Sequence, residues 1–345
     1  MALVLIASER FADHETPPGH PERSERAEIM DIVADDWRQR GGDVVAPRSA
    51  TLEQIARVHD MDYVRSIAAL AGSSRALDPD TYTSPESHEI ALLAAGAAVD
   101  AVDHVLGAPG HRALALVRPP GHHAERDRAM GFCLYNNIAV AAAHARASGV
   151  GRVAIVDVDV HHGNGTQHMF EADPDVLYVS LHQFPFYPGT GEATEVGRDE
   201  GAGFTVNVPL AAGAVDDDYR LVFTDIVLPV LHEFRPAVVL VSAGFDAHER
   251  DPLGGMRLTT GAFGAMFREL RRVADTCCDG RLAAVVEGGY DGRALSEALR
   301  SVVHALGDDG SGDDAGWLPP GPVPPARGRA AVAEVRKALA GFWRF

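Results

Sequence analysis

The stretch VAIVDVDVHHGNGT, residues 153–166, carries an apolar strand directly into two aspartates, two histidines and a glycine-rich turn. Because alternate residues of a strand share a face, Asp157, Asp159 and His161 are expected to point the same way unless the strand ends early. Carboxylate oxygens with an imidazole nitrogen are a common ligand set for a catalytic divalent metal. An ordinary polar strand end is the alternative, and the paired histidines with their glycine-rich exit argue against it.

Apolar runs of strand length recur along the chain and alternate with helix-like segments. The predicted strands are Ala113–Val117, Val153–Val158, Val176–Leu181, Phe204–Val208, Ala237–Ser242 and Leu282–Val286. The predicted helices are Glu86–Leu106, Asn136–Ala147, Asp217–Phe234, Gly261–Thr276 and Ala294–Leu306. Continuously apolar strands are typical of a sheet buried on both faces. The alternation therefore predicts an α/β fold with a mostly parallel sheet between helices.

Two short motifs predict helix starts. Ser84-Pro85-Glu86 combines a capping serine with a proline at the first helical position. Thr51-Leu52-Glu53-Gln54 has the spacing of a capping box, in which the two side chains bond each other's backbone.

Bulk properties bound the class of protein. The 345 residues are predicted to form one catalytic domain, 1–345, in which 308–328 is a flexible connection and 330–340 a terminal helix. The net charge of −18 disfavours binding to nucleic acid or to an anionic membrane surface. No signal peptide or membrane span is predicted. The three cysteines suit a reducing, cytoplasmic location. The abundance of Ala, Gly and Arg suggests a bacterial source, and the sequence is compatible with a homo-oligomer.

Four predicted strands end in reactive groups flanked by glycine. These endings are Arg118–His123, Asp157–Gly163, Ala243–His248 and Glu287–Tyr290. Ligands of open α/β sheets bind at the carboxyl ends of the strands. We therefore expect the four endings to meet at one edge of the sheet.

The residue types at these endings indicate amide hydrolysis. A catalytic metal site typically has three protein ligands and leaves coordination positions open for water and substrate. The candidate ligands here are Asp159, His161 and Asp246, with His248 as a rival ligand. One of His122 and His123 can move a proton between water and a leaving amine, and Tyr290 can donate a hydrogen bond to an oxyanion.

The other cysteine and histidine side chains near these motifs are given structural roles. Cys133 is interpreted as a core residue, and His162 and His182 are interpreted as packing residues. The remaining histidines considered are interpreted as bystanders: His14, His20, His104, His111, His144, His168, His232 and His304.

Five motifs, in this order, resemble the histone deacetylase / acetylpolyamine amidohydrolase superfamily. They are RPPGHHA at 118–124, GFC at 131–133, the 157–166 stretch, GFD at 244–246 and EGGY at 287–290. The resemblance implies an arginase-deacetylase fold with an eight-stranded, mostly parallel sheet in three α/β/α layers. It also implies one zinc ion held by Asp159, His161 and Asp246, with His123 as general base and acid, His122 as its electrostatic partner and Tyr290 as oxyanion donor.

The same resemblance assigns supporting residues. Asp157 would pair with His122, and Asn164 would orient His123, where many family members carry aspartate. Because asparagine adds no charge, His123 should be less basic here. Asparagine at this position, together with the EGGY motif at 287–290, resembles the class II branch of the family rather than class I. One potassium ion would use Asp157 and Ser180 with the carbonyls of Asp159, His161 and Leu181, and a second would use carbonyls near Phe170, Asp173, Val176 and Phe204. The tunnel for the substrate would be lined by Gly131, Phe132, Tyr187 and Leu253.

Several substrates remain open at this point. Some relatives specialised for polyamines carry glutamate after Asp-Pro, where Leu253 stands here. Leucine favours an acylated lysine peptide or protein, or a small N-acyl amine, over acetylpolyamines. A polyamine enzyme would need a carboxylate elsewhere at the mouth, in 13–22 or 78–89. A non-catalytic acyl-lysine binder fits less well, because the zinc ligands and Tyr290 are all present. An arginase-like enzyme fits less well because it would need more carboxylates to bridge two metals, whereas the resemblance assigns Asp157 to potassium and the Tyr290 motif to deacylation.

Overall fold

The apolar runs form one sheet of eight parallel strands in the computed structural model, which describes residues 3–307, 317, 319–321 and 324–345. The strands are β1 Leu3–Ile6, β2 Asp43–Val45, β3 Arg75–Ala76, β4 Tyr82–Thr83, β5 Arg112–Ala115, β6 Val153–Asp157, β7 Val176–Gln183, β8 Thr205–Leu210, β9 Val238–Ala243 and β10 Leu282–Val286. The sheet order is β2-β1-β5-β10-β9-β6-β7-β8, while β3 and β4 form a separate antiparallel pair. The predicted parallel α/β architecture is confirmed.

Helices cover both faces of the sheet. They are α1 Glu25–Gln39, α2 Leu52–Ile55, α3 Met61–Ala68, α4 Ser87–Gly107, α5 Asn137–Ala147, α6 Asn164–Phe170, α7 Asp216–Val222, α8 Leu228–Phe234, α9 Thr260–Cys277, α10 Gly292–Gly307 and α11 Ala326–Ala338. Short 3₁₀ turns occupy Glu9–Asp13 and Asp199–Gly201. Residues of α4 and α5 pack on one face of the sheet, and residues of α1 and α7 to α11 pack on the other.

Strand β6 shows why the strands of this sheet have continuously apolar sequences. Val153 and Ile155 belong to the core on one face, while Ala154 and Val156 belong to the core on the other. Since both faces are covered, every position up to Asp157 is buried. The first polar residue, Asp157, therefore marks the end of the strand.

Two strands of the sheet, β1 and β2, were not predicted from the sequence. β1 is a four-residue run, and β2 has three residues that are partly exposed at the sheet edge. Pairing with β5 and β2 makes Leu3–Ile6 a strand.

The predicted helix over 217–234 is interrupted. A π turn at Phe223–Val227 separates α7 from α8 near Pro229, which lacks a backbone N–H donor.

The two predicted caps have different outcomes. Thr51 and Gln54 form the capping box. Ser84 is not the cap of α4, because its Oγ accepts the Glu15 N–H at 3.0 Å and Glu86 occupies the cap position without a side-chain bond. The hydroxyl is thus already used by a distant segment of the chain.

The carboxyl-terminal region differs from its prediction in its bounds. The terminal helix begins at Ala326 rather than residue 330 and ends at Ala338. Its start lies inside the predicted 308–328 connection, since the Gly328 N–H donates to Asp218 at 2.8 Å and fixes that turn against α7. Most of the remaining connection lies outside the described residues.

Helix α4 is long and apolar enough to span a membrane by length and composition alone. However, 67% of its apolar window is buried inside the protein. That burial is typical of a core helix.

Candidate active site

The four strand endings meet because their strands are neighbours in the sheet. β5, β10, β9 and β6 are adjacent in that order, although the chain visits them in a different order. The carboxylate of Glu287 connects its own strand ending to the 118–123 ending and to β9, since it accepts the Gly121 and His122 N–H groups at 2.6 and 3.2 Å and the Ser242 hydroxyl at 3.1 Å. The reactive groups are therefore held at one edge, as the sequence predicts.

A buried cluster of two carboxylates and one imidazole lies at this edge. Ligand atoms of Asp159, His161 and Asp246 lie within 4.8 Å of one another. His161 Nδ1 is 3.2 Å from Asp159 Oδ1 and 3.1 Å from Asp246 Oδ2. Although burial lowers the pKa of His161, the two carboxylates outweigh it and raise that pKa to about 10. This excess of negative charge fits a divalent cation.

Glycines leave the space for this cluster. A Cβ at Gly288 would lie 2.2 Å from Asp246 Oδ2 and 2.7 Å from Asp159 Oδ2. A Cβ at Gly244 would lie 2.3 Å from Asp159 Oδ2. The Gly288 N–H donates to Asp159 Oδ2 at 2.9 Å. The residues present therefore fit a small cation held by oxygen and nitrogen.

Asp157 does not belong to the cluster, which corrects the expectation of one shared face. β6 ends at Asp157, and the strict alternation of side chains stops there. Its Oδ2 lies 3.0 Å from His122 Nδ1 and accepts the Tyr178 hydroxyl at 3.0 Å. Ser180 is its register partner on β7, and the Ser180 hydroxyl lies 2.9 Å from His182 Nδ1. Both side chains assigned to potassium are thus buried side by side.

The two adjacent histidines have opposite electrostatic environments. Burial lowers the pKa of His122, but the Asp157 and Asp159 charges outweigh it and raise that pKa to about 10. Burial and the nearby His122 and His161 rings hold the pKa of His123 well below its usual value. His123 Nδ1 lies 2.8 Å from Asn164 Oδ1, the predicted pairing. One ring is therefore cationic and the other neutral near pH 7.

Tyr290 is positioned by its backbone and by a cation. Its N–H donates to Asp251 Oδ2 at 2.6 Å, and the Arg26 guanidinium lies 5.0 Å from its ring centroid. Burial raises the pKa of Tyr290 well above its usual value, so the phenol keeps its proton. A protonated phenol can donate a hydrogen bond to a developing oxyanion.

A cavity of about 240 Å³ opens onto these groups. Its lining residues are Asp80, His123, Gly131, Phe132, His161, Phe186, Tyr187, Leu253 and Tyr290. All four predicted tunnel residues are among them. Phe132 has a φ of 70°, and a Cβ at Gly131 would lie 2.5 Å from the His123 ring, so this turn brings the tunnel wall against the histidine.

Sequence reasoning missed Phe186, and it named the 78–89 segment as a possible source of a mouth carboxylate without singling out Asp80. The Phe186 ring stacks on His161 with centroids 5.3 Å apart. The sequence feature that could have indicated Phe186 is the run of aromatic residues and prolines at 184–188. Asp80 comes from the 78–89 segment, and the His20 ring lies between its carbonyl and Phe132. No local pattern marks it, because only the fold brings this loop to the cavity.

The hydrogen bonds of the other histidines distinguish those that pack away from the metal-ligand cluster from those that contact the site. His248 lies 3.2 Å from the Thr260 hydroxyl and accepts the Arg250 N–H at 3.2 Å, so its ring is engaged away from the metal-ligand cluster. His162 bonds Thr190 and Gln167. His168 is not an isolated bystander, because it bonds a carboxylate that contacts Asn164, as described below.

The fold and the site together define an α/β/α domain of the arginase-deacetylase class with a buried Asp/His/Asp cluster under an aromatic cavity. A family model described as "Histone deacetylase domain" matches residues 20–306, and the chain belongs to the histone deacetylase family. It is a deacetylase or amidohydrolase of that family.

Three known proteins illustrate the similarity. A probable deacetylase of Archaeoglobus fulgidus is 41% identical over 293 residues, covering 84% of this chain and 82% of that protein. The human "Polyamine deacetylase HDAC10" is 40% identical over 343 residues, covering 93% of this chain and 49% of that protein. The crystal structure of the HDA15 HD domain superposes with a TM-score of 0.90 at 36% identity, covering 99% of this chain and 95% of that one.

Proposed function

We propose that this protein is a zinc-dependent hydrolase of N-acyl amines, and that acyl-lysine side chains are its preferred substrates. The observation that carries the proposal is the convergence of one metal-ligand cluster, one neutral histidine and one tyrosine on the same cavity. Asp159, His161 and Asp246 would hold the ion. Zinc, when bound, lowers the pKa of a water molecule and polarises a carbonyl.

The protein's own side chains would then divide the work. His123 is neutral, and its Nδ1 is engaged by Asn164, so Nε2 can accept a proton from the attacking water and return it to the leaving amine. His122 supplies a fixed positive charge beside it, with ring centroids 4.1 Å apart. Tyr290 donates to the oxyanion that develops on the acyl carbonyl.

The walls of the cavity favour a long, unbranched amine. Phe132, Phe186, Tyr187 and Leu253 present mainly apolar surface, which suits the methylene chain of lysine. Tyr187 is 37% exposed at the entrance. The apolar Leu253 at this wall supports the acyl-lysine assignment.

Acetylpolyamines are the second candidate, because Asp80 lines the same cavity. A carboxylate about 4 Å from a second ammonium group would contribute about 1–4 kcal/mol in a partly solvated site. This is the kind of mouth carboxylate that a polyamine enzyme needs, supplied from the 78–89 segment. A relative named as a polyamine deacetylase adds weight to this candidate.

A side-by-side comparison tests both. We would measure kcat/KM of the zinc-loaded protein on an acetyl-lysine peptide and on acetylated putrescine and spermidine, for the wild type and for Asp80→Asn. Preference for the peptide supports the main proposal. Preference for the polyamine, lost selectively in Asp80→Asn, supports the second candidate. Absence of turnover on every substrate by zinc-loaded protein would reject the function.

A potassium ion is proposed at Asp157, Ser180 and Leu181, where the two side chains are buried and adjacent across β6 and β7. Exchange of potassium for a large organic cation should lower Tm, and an unchanged Tm would argue against the site. The cytoplasmic location, the oligomeric state and the second potassium site remain predictions from the sequence.

A further inference from the structure

A line of hydrogen bonds leads from the candidate base to the protein surface. His123 Nδ1 lies 2.8 Å from Asn164 Oδ1, and Asn164 Nδ2 donates to Glu125 Oε1 at 2.6 Å. His168 Nδ1 lies 2.8 and 3.0 Å from the two Glu125 oxygens. Glu125 is 7% exposed, whereas the His168 side chain is 41% exposed. The line therefore runs from the cavity to solvent.

The amide of Asn164 has a direction, and the acceptors around its NH₂ group decide it. Glu125 Oε1 is the nearest at 2.6 Å, whereas the His123 carbonyl and Met130 Sδ lie at 3.3 and 3.4 Å. One end of an amide only donates and the other only accepts, while an ionised carboxylate only accepts. Beside Glu125, the NH₂ group of Asn164 must face outward and its oxygen must face His123. His123 Nδ1 must then carry the ring proton, and Nε2 is left able to accept one.

Asparagine alone would not fix this arrangement. If the amide were reversed, its NH₂ would face His123 Nδ1, and the ring proton would move to Nε2, the atom that must accept a proton. A carboxylate at position 164 could only accept, so it would need no help. The neutral Asn164 does need an acceptor behind it.

Glu125 is kept ionised by its partners. Burial raises its pKa, but hydrogen bonds from His168 and Asn164 outweigh burial and hold that pKa below its usual value. The Glu125 hydrogen bond in turn raises the pKa of His168. Arg128 lies 3.9 Å from the same carboxylate. Glu125 is therefore an acceptor only.

We propose that Glu125 is a positioning residue that sets the tautomer of His123 through Asn164, and that His168 holds the Glu125 carboxylate in place. This inference rests on the proposed role of His123 as the base. Its first test does not depend on catalysis, so the two can fail separately.

The first test is spectroscopic. Histidine-selective ¹⁵N labelling reports which ring nitrogen carries the proton, and the His123 signals are assigned by their loss in His123→Gln. We expect the Nδ1–H form in the wild type. Glu125→Gln keeps the size of the side chain but can donate as well as accept, so the Nε2–H form should become populated. An unchanged His123 tautomer in Glu125→Gln would overturn the proposal.

The second test is a kinetic cycle in the zinc-loaded protein. Glu125→Gln should lower kcat about 10-fold with little change in KM, part of the range that general bases contribute. In the Asn164→Asp background the same change should leave kcat equal or higher, because the carboxylate introduced at position 164 would only accept and two facing carboxylates would repel each other. An equal loss in both backgrounds would indicate a merely structural role and refute the proposal.

A matched control is available next to the same helix. Glu171 follows α6 directly and pairs with Arg198 at 2.8 Å. Glu171→Gln removes one negative charge nearby without touching Asn164. We expect wild-type kcat and a wild-type His123 tautomer; a loss in this control equal to that of Glu125→Gln would assign the effect to net charge and contradict the proposal.

Discussion

Replacing Gly288 with alanine would place a methyl group inside the proposed metal site. Its Cβ would lie 2.2 Å from Asp246 Oδ2, whereas ordinary contacts begin at 3.4 Å. One group must therefore move by about 1 Å, several times the ~0.2 Å tolerance of metal–ligand distances. Because losing a mere supporting partner of a metal ligand costs about 10–100-fold in affinity, we expect zinc affinity to fall at least about 100-fold.

The change is steric, since the Gly288 N–H that donates to Asp159 at 2.9 Å is kept in alanine. Zinc affinity would be measured by competition with a chromogenic chelator, together with the Tm shift on adding zinc. At a fixed saturating zinc concentration, a 100-fold weaker site lowers the zinc-linked stabilisation by about 2.7 kcal/mol.

Gly151→Ala is the matched control, because nothing lies within 4 Å of a Cβ at that position. It should bind zinc as the wild type does. Wild-type zinc affinity and an undiminished Tm shift in Gly288→Ala would show that the carboxylates facing Gly288 do not hold the ion, and the site would have to be placed elsewhere.

Three further predictions concern the site and the stability of the fold. Tyr290→Phe should lower kcat by about 10²–10³ with zinc still bound, as expected for one lost oxyanion donor; near-normal turnover would remove Tyr290 from the reaction. Asp246→Ala should abolish stoichiometric zinc binding by elemental analysis, whereas His248→Ala should retain it, and the reverse pattern would make His248 the ligand. Burial lowers the pKa of His59 and of His182 to about 4, so the unfolded chain binds protons there that the folded protein does not, and each should lower the free energy of unfolding in urea by about 3 kcal/mol from pH 6.5 to about 4. The wild type should therefore lose more stability over this range than His59→Gln or His182→Gln, and equal losses would contradict the prediction.

The strands that carry the reactive groups could be predicted from local pattern. β6 and β10 are continuously apolar, and their polar endings follow directly, so the start of each motif coincides with the end of each strand. Weakly patterned elements could not be predicted in the same way. β2 is three partly exposed residues, and its strand state depends on pairing with β1.

Individual side chains that reach the site from other segments were also beyond the sequence, which indicated the 78–89 segment but not Asp80 itself. Asp80 lies far along the chain from Leu253 and Tyr290, yet all three line one cavity. Glu125 and His168 carry no motif of their own, and their importance follows from a 2.6 Å contact between Glu125 and Asn164. Such contacts depend on how loops pack, which residue spacing does not encode.

The sequence by itself determined the chemistry available at each strand end: two carboxylates and an imidazole, a histidine pair, and a tyrosine on a glycine turn. The tertiary structure decided which of these groups meet, because β10 enters the sheet between β5 and β9 and brings residues 287–290 beside 118–123 and 244–246. It also decided the charges of the two histidines. His122 and His123 are adjacent in sequence and identical in type, but Asp157 faces one and the neutral Asn164 faces the other, so burial and neighbouring charge separate their pKa values.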